Sequence, residues 1–151
     1  MNEEELKQKC EEYLSGWKRA LADYDNLKKD LVREKGQMRR ALTEELLLVL
    51  LPIMDSFDAA MKFTPRVEDQ KIETWLSGVL QVRTQLDSAL RGLGAEPFGR
   101  EGDLFEPSLY ESAGSRKDES KPDHAVLEVV QRGWKFSDKI IRPSNVVINT
   151  L

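Results

Sequence analysis

The chain has 151 residues, of which 33% are charged and 7% aromatic, with a formal net charge of −4. That length holds one ordinary domain, or a long helical part with a small second domain. The weak net charge argues against bulk attraction to nucleic acid or to an anionic membrane. Cys10 is the only cysteine, which excludes an internal disulfide and a cysteine-rich zinc site. No apolar run approaches the roughly 20 residues of a membrane span, and the acidic start from Met1 to Leu6 lacks a signal-peptide core, so a cytoplasmic protein is expected.

From Glu3 to about Phe63 the pattern predicts one long helix. Leu6, Cys10, Tyr13, Trp17, Ala20, Tyr24, Leu27 and Leu31 recur in alternating steps of four and three, the seam of a coiled coil. Glu34 interrupts the seam. It resumes out of phase as Met38, Leu42, Leu46, Val49, Ile53, Phe57 and Met61, a stutter that unwinds a supercoil locally. A polar helix of that length cannot bury its stripe on itself, and a second copy is the simplest partner. Leu6, Tyr13, Trp17, Tyr24, Leu27, Leu31, Met38, Leu42, Leu46 and Leu50 are therefore the expected dimer interface. Leu46–Leu51 is the most apolar stretch and reads as the entry to a helical bundle. Pro52, which lacks an amide hydrogen, predicts a kink or break.

Pro65, in a loop from Thr64 to Asp69, should end this helix. A second amphipathic helix follows from Glu68 to about Leu93, with Ile72, Trp75, Leu76, Val79, Leu86, Leu90 and Leu93 on one face. One such helix per chain, packed with the Leu46–Met61 region, makes four helices in a dimer. After Gly94 the composition shifts to turn formers through Gly99–Asp103 and Gly114–Asp123. Ala125–Val130, Trp134–Phe136, Lys139–Ile141 and Val146–Ile148 are strand-like, with Ser137 and Asp138 as a tight turn. The fold class expected is α+β: long paired N-terminal helices and a dimeric four-helix bundle over residues 1–94, then a small β-domain over residues 95–151.

The C-terminal stretch reads Gly133-Trp134-Lys135-Phe136-Ser137-Asp138-Lys139-Ile140-Ile141-Arg142-Pro143-Ser144-Asn145-Val146-Val147-Ile148. It resembles the signature of the GrpE family, in which a Gly-aromatic pair leads through a turn to Arg-Pro-Ala and a Val-rich strand. Asp25-Asn26-Leu27-Lys28-Lys29, Leu50-Leu51-Pro52-Ile53-Met54-Asp55-Ser56, and Phe105-Glu106-Pro107 with Tyr110-Glu111 are similar to three further family blocks, in the same order. Tyr110 stands where the family usually has His, Trp134 where it has Tyr, and Ser144 where it has Ala. Gln37 and Ala59 occupy places where basic residues can occur.

The resemblance implies a non-enzymatic nucleotide exchange factor. Such a homodimer binds the ATPase domain of a DnaK-type chaperone, opens its cleft and releases ADP, with no cofactor or metal of its own. It implies chaperone contacts at Phe105, Pro107, Val130, Lys139, Arg142, Ile148 and Lys28. The residues themselves keep other readings open. Val130 and Ile148 fit a strand core, and Arg142 fits an internal anchor to an acidic neighbour. The basic set Lys28, Lys29, Arg33, Lys35, Arg39 and Arg40 fits a solvated helix surface or the steering of an acidic partner. A dimeric coiled-coil scaffold without exchange activity is the competing function. A nucleic-acid binder and an enzyme are weaker rivals: His124 is the only His, and no phosphate-binding glycine loop is present.

Overall fold

The computed structural model describes residues 2–64 and 68–151. Two helices lead into six strands: α1 (Glu3–Lys62), α2 (Gln70–Gly92), β1 (Ala95–Phe98), β2 (Tyr110–Arg116), β3 (Val126–Gln131), β4 (Gly133–Phe136), β5 (Lys139–Arg142) and β6 (Ser144–Asn149). The chain divides into two compact units, residues 1–42 and Thr43–Leu151.

The first unit is the N-terminal part of α1. Glu3, Glu4 and Glu5 in the first turn oppose the positive end of the helix dipole, and the Asn2 N–H donates to Glu5 Oε2 at 2.9 Å. Leu6, Tyr13, Trp17, Tyr24, Leu27, Leu31, Met38 and Leu42 are all exposed, so the described residues of this unit form no core of their own within one protomer. Cys10 is exposed as well.

The second unit holds the core. The predicted break at Pro52 does not occur, because α1 continues through it to Lys62. Proline removes one backbone hydrogen bond, but its neighbours Leu51 and Met54 are fully buried, and that burial outweighs the loss. The Ser56 hydroxyl donates to the Pro52 carbonyl at 3.0 Å. α2 starts where Asp69 accepts the Lys71 N–H at 2.8 Å. The expected helix-ending Pro65 lies outside the described residues.

Strands form two three-stranded sheets. In the first, β4 lies between β1 and β5, all antiparallel. The Ser137-Asp138 turn is a two-residue hairpin with Phe136 opposite Lys139, and Ser137 takes a positive φ of 53°. In the second, β6 lies between parallel β2 and antiparallel β3. Two strands depart from the sequence reading. β1 was not anticipated, since Glu96 and Pro97 are poor strand formers. β2 enters the segment read as turn, because pairing with β6 overrides the low strand propensity of Gly114 and Ser115.

Leu47, Leu51, Met54, Leu90, Ala95 and Trp134 form one core cluster, joining α1, α2 and the first sheet. Leu50, Leu86, Leu93, Phe136 and Ile141 pack around it. Tyr110, Val126 and Val146 form a second, between the strands of the second sheet, with Phe105, Leu109, Val129 and Ile148 against them. The α1 residues facing this core are Leu47, Leu50, Leu51 and Met54, not the seam positions Leu46, Val49 and Ile53, which stay exposed. Leu51→Ala is expected to lower the stability of this unit by about 3 kcal/mol in urea denaturation, as typical for a buried leucine truncated to alanine. A change under ~1 kcal/mol would mean that α1 does not rest on the sheet as described.

Candidate functional site: the β-domain surface and its seat on the helices

The second half of α1 carries Asp55 and Asp58 one turn apart, within reach of β-domain residues 74 to 87 positions away in sequence. Asp55 accepts two bonds from the Arg142 guanidinium, Nη1 to Oδ2 at 2.6 Å and Nη2 to Oδ1 at 2.8 Å. Gln131 Nε2 donates to the same carboxylate at 2.7 Å. The side chains of Arg142 and Asp55 are 19% and 23% exposed, so this fork is largely desolvated. Arg142 also donates to the Arg132 carbonyl at 2.8 Å, tying β5 to the end of β3.

Asp58 is shared by two arginines. Arg83 of α2 reaches it through Nε at 2.8 Å, and Arg132 through Nε at 2.8 Å. Arg132 extends to Asp87 at 3.4 Å, and its guanidinium lies 5.2 Å from the centroid of the buried Trp134 ring. Burial raises the Asp87 pKa, but hydrogen bonds and charge from Arg91 and Arg132 outweigh it and hold the carboxyl below its ordinary value. Three acids on two helices thus bind four arginines, two of them from the β-domain.

The candidate contact residues fall into distinct settings. Arg142 is the anchor just described, the internal role that its sequence also allowed. Ile148 is half-buried against the second core cluster. Phe105 is half-buried too, its ring 6.2 Å from that of Tyr110, while Pro107 is exposed. Val130 is 48% exposed, although it lies in a strand. Lys139, at the β4–β5 turn, is exposed and pairs with Glu44 of α1. Lys28 is exposed in the first unit, beside Asp25, Lys29 and Val32. Phe105, Ile148 and Tyr110 therefore share one cluster; Val130, Lys139 and Lys28 do not belong to it.

The positions that depart from the family pattern in the β-domain are interior. Trp134 and Ser144 are fully buried and Tyr110 nearly so. The Ser144 hydroxyl donates to the Gln131 carbonyl at 3.1 Å. Gly99, with a φ of +95°, passes so close that a Cβ there would collide with the Ser144 side chain and approach the Tyr110 ring. The Tyr110 hydroxyl donates to Asp103 at 2.7 Å; burial and that carboxylate push its pKa up to about 12. Gly133 is required for a similar reason, since a Cβ would run into the Phe98 ring and sit 2.7 Å from the Ser144 backbone nitrogen.

Sequence reasoning missed Asp58, Arg83, Asp87, Arg132 and Asn149. The first three have a readable signal: Arg83, Asp87 and Arg91 recur every four residues on α2, as Asp55, Asp58 and Lys62 do at helical spacing on α1. Asn149 has none. It is fully buried, takes the Asp118 N–H at 2.8 Å, and donates to the carbonyls of Asp118, Lys121 and Pro122. It thereby fixes the loop between β2 and β3. His124 is on the surface with a φ of 62°, and among the described residues no group of His, Cys, Asp and Glu could hold a metal ion.

The chain matches the sequence model of the GrpE family over residues 2–150. It is 31% identical over 144 residues to protein GrpE of Oceanobacillus iheyensis, covering 95% of this chain and 74% of that one. It is 33% identical over 131 residues to protein GrpE of Halalkalibacterium halodurans, covering 87% and 66%. With protein GrpE of Legionella pneumophila it shares 31% over 132 residues, covering 87% and 65%. The chain belongs to the GrpE family, a family of non-enzymatic co-chaperones. It spans about two thirds to three quarters of the length of these relatives.

The Tyr110 environment has a measurable consequence. A folded-state pKa raised above the ordinary 10 gives stability that is complete below pH 10 and lost as pH rises toward 12. The wild-type protein should therefore lose stability over that window relative to Tyr110→Phe, which has no hydroxyl to ionise. Urea midpoints for the two proteins at pH 9, 10.5 and 11.5 check this; parallel curves would show that the Tyr110 hydroxyl is not held as described.

Proposed function

We propose that this chain works as a homodimer on the ATPase domain of a DnaK-type chaperone, favouring the open nucleotide cleft and so accelerating ADP release. The observation that carries the proposal is the match to GrpE along nearly the whole chain. No chemistry on this protein is needed. A protein that binds the open cleft better than the closed one shifts the population toward it by the difference in affinity. Linkage makes the effect reciprocal, so nucleotide entry weakens the complex.

Residues 1–94 serve dimerisation and residues 95–151 chaperone contact. The exposed stripe Leu6, Tyr13, Trp17, Tyr24, Leu27, Leu31, Met38 and Leu42 supports pairing, because one protomer leaves it uncovered. Leu46, Val49 and Ile53, with Ile72 and Trp75 of α2, offer apolar surface for a bundle. Leu50 already packs partly against its own core, so its share in an interface is the smaller. A Cβ added at Gly78 would meet nothing within 4 Å beyond its own helix backbone among the described residues, which leaves clearance for a partner. On the β-domain the wedge is formed by Phe105, Pro107 and Val130, with Lys139 as the exposed charge; Ile148 and Arg142 hold the surface from beneath. Lys28 is a helix-side contact. No helix among the described residues is long and apolar enough to cross a membrane, which accords with a place in the cytoplasm beside the chaperone.

Stopped-flow release of fluorescent ADP from a DnaK-type chaperone, in excess unlabelled nucleotide, tests the exchange function. Acceleration by the wild-type protein is expected, reduced about tenfold or more in a Phe105→Ala, Lys139→Ala double variant that keeps its fold. No acceleration by a folded dimer, tested on the chaperone of its own organism, would leave the coiled-coil scaffold reading in its place. Leu27→Asp should convert the dimer to monomer in sedimentation velocity, since a carboxylate cannot be desolvated in an apolar seam without cost. An unchanged dimer would remove that seam from the interface.

A further inference from the structure

A hollow of about 220 Å³ lies between the last turn of α2, the segment following β1 and the link from β3 to β4. It is lined by Arg91, Pro97, Phe98, Gly99, Arg100 and Arg132. The three arginines come from three separate parts of the chain, and no carboxylate is among the lining residues. Arg91 is held by Asp87 at 2.6 Å. Arg132 gives Nε to Asp58 and Nη1 to Asp87, while its Nη2 is buried without a hydrogen-bond partner among the described residues. The Arg100 guanidinium has no partner among the described residues either. Its backbone N–H donates to Asp103 at 2.9 Å, which holds the residue's main chain in place.

Guanidinium forks match the oxygens of phosphate in spacing and charge. The hollow supplies two arginines fixed by acid partners, Arg91 and Arg132, and a third, the exposed Arg100, that is free to close over a ligand. We infer that this hollow binds a phosphate-type oxyanion. The hollow shares no lining residue with Phe105 or Lys139 of the proposed chaperone wedge, while Gly99 and Arg132 also line a neighbouring hollow with Val130; phosphate binding does not depend on exchange activity.

Nitrogen-15 NMR of the full chain, including the arginine Nε resonances, tests the inference by titration with sodium phosphate against sodium chloride at equal ionic strength. Saturable shifts specific to phosphate are expected at Gly99, Arg100 and Arg132. Affinity should fall about fivefold in Arg100→Ala and vanish in Arg100→Glu. Both variants should keep the wild-type melting temperature, because the Arg100 side chain bonds to nothing among the described residues. A parallel titration with sodium acetate should be weaker than with phosphate. Phosphate shifts no different from chloride, shifts that persist in Arg100→Glu, or tighter binding of acetate would each overturn the assignment.

Discussion

Asp55 and Asp58 lie one turn apart on α1, and both are taken up by arginines of the β-domain. Arg142 forks onto Asp55, Arg132 reaches Asp58 and then Asp87 of α2, and Arg83 closes the network from the second helix. Most of the other contacts in this unit are apolar and non-directional; these bonds are directional. Replacing such a largely buried pair with apolar groups could be neutral in stability, whereas removing one partner leaves a charge desolvated and costs about 3–5 kcal/mol. The network therefore fixes which way the sheets face on the helices, more than whether they fold.

The same stretch of α1 has two apolar faces, and this shapes the proposed function. Leu47, Leu51 and Met54 point into the chain's own core, together with Trp134, Leu90 and Ala95. Leu46, Val49 and Ile53 point away, and Val49 is 68% exposed. A helix apolar on both sides packs between two partners. One of them here is the protomer's own β-domain. The other, on the proposed reading, is a second copy, and α1 then carries the β-domain on one face while dimerising through the other. On the same reading, a wedge that presses on the chaperone benefits from such a seat, since a loose wedge would lose ordering entropy on each binding event.

Much of this was legible in the sequence. Heptad spacing located α1, the 3.6-residue period located α2, and the run of Gly, Pro and Ser after Gly94 marked the change to short strands. The motif blocks read as separate stretches, yet Asp55 of the Leu-Leu-Pro block and Arg142 of the Arg-Pro block prove to be bonded to each other. What could not be read has physical causes. Continuation of α1 through Pro52 depends on burial of Leu51 and Met54 by residues far along the chain. β2 exists because β6 pairs with it, not by the preference of its Gly and Ser. The buried setting of Tyr110, Trp134 and Ser144 needed the tertiary packing around Gly99 and Gly133. In the candidate site, exposure of Lys139 was open to sequence reasoning while Val130 fitted core and surface alike, and the acid–arginine network was visible only as charges recurring at helical spacing.

A double-mutant cycle on Asp55 and Arg142 tests the central claim most directly. Urea unfolding would be measured for the wild type, Asp55→Ala, Arg142→Ala and the pair, at fixed protein concentration. Because each single change strands the other charge, the account predicts that the double variant is less destabilised than the sum of the singles, with a coupling of about 2–3 kcal/mol. A coupling below ~0.5 kcal/mol would show that the two act independently, and that the Asp55–Arg142 pair does not orient the sheets on the helices.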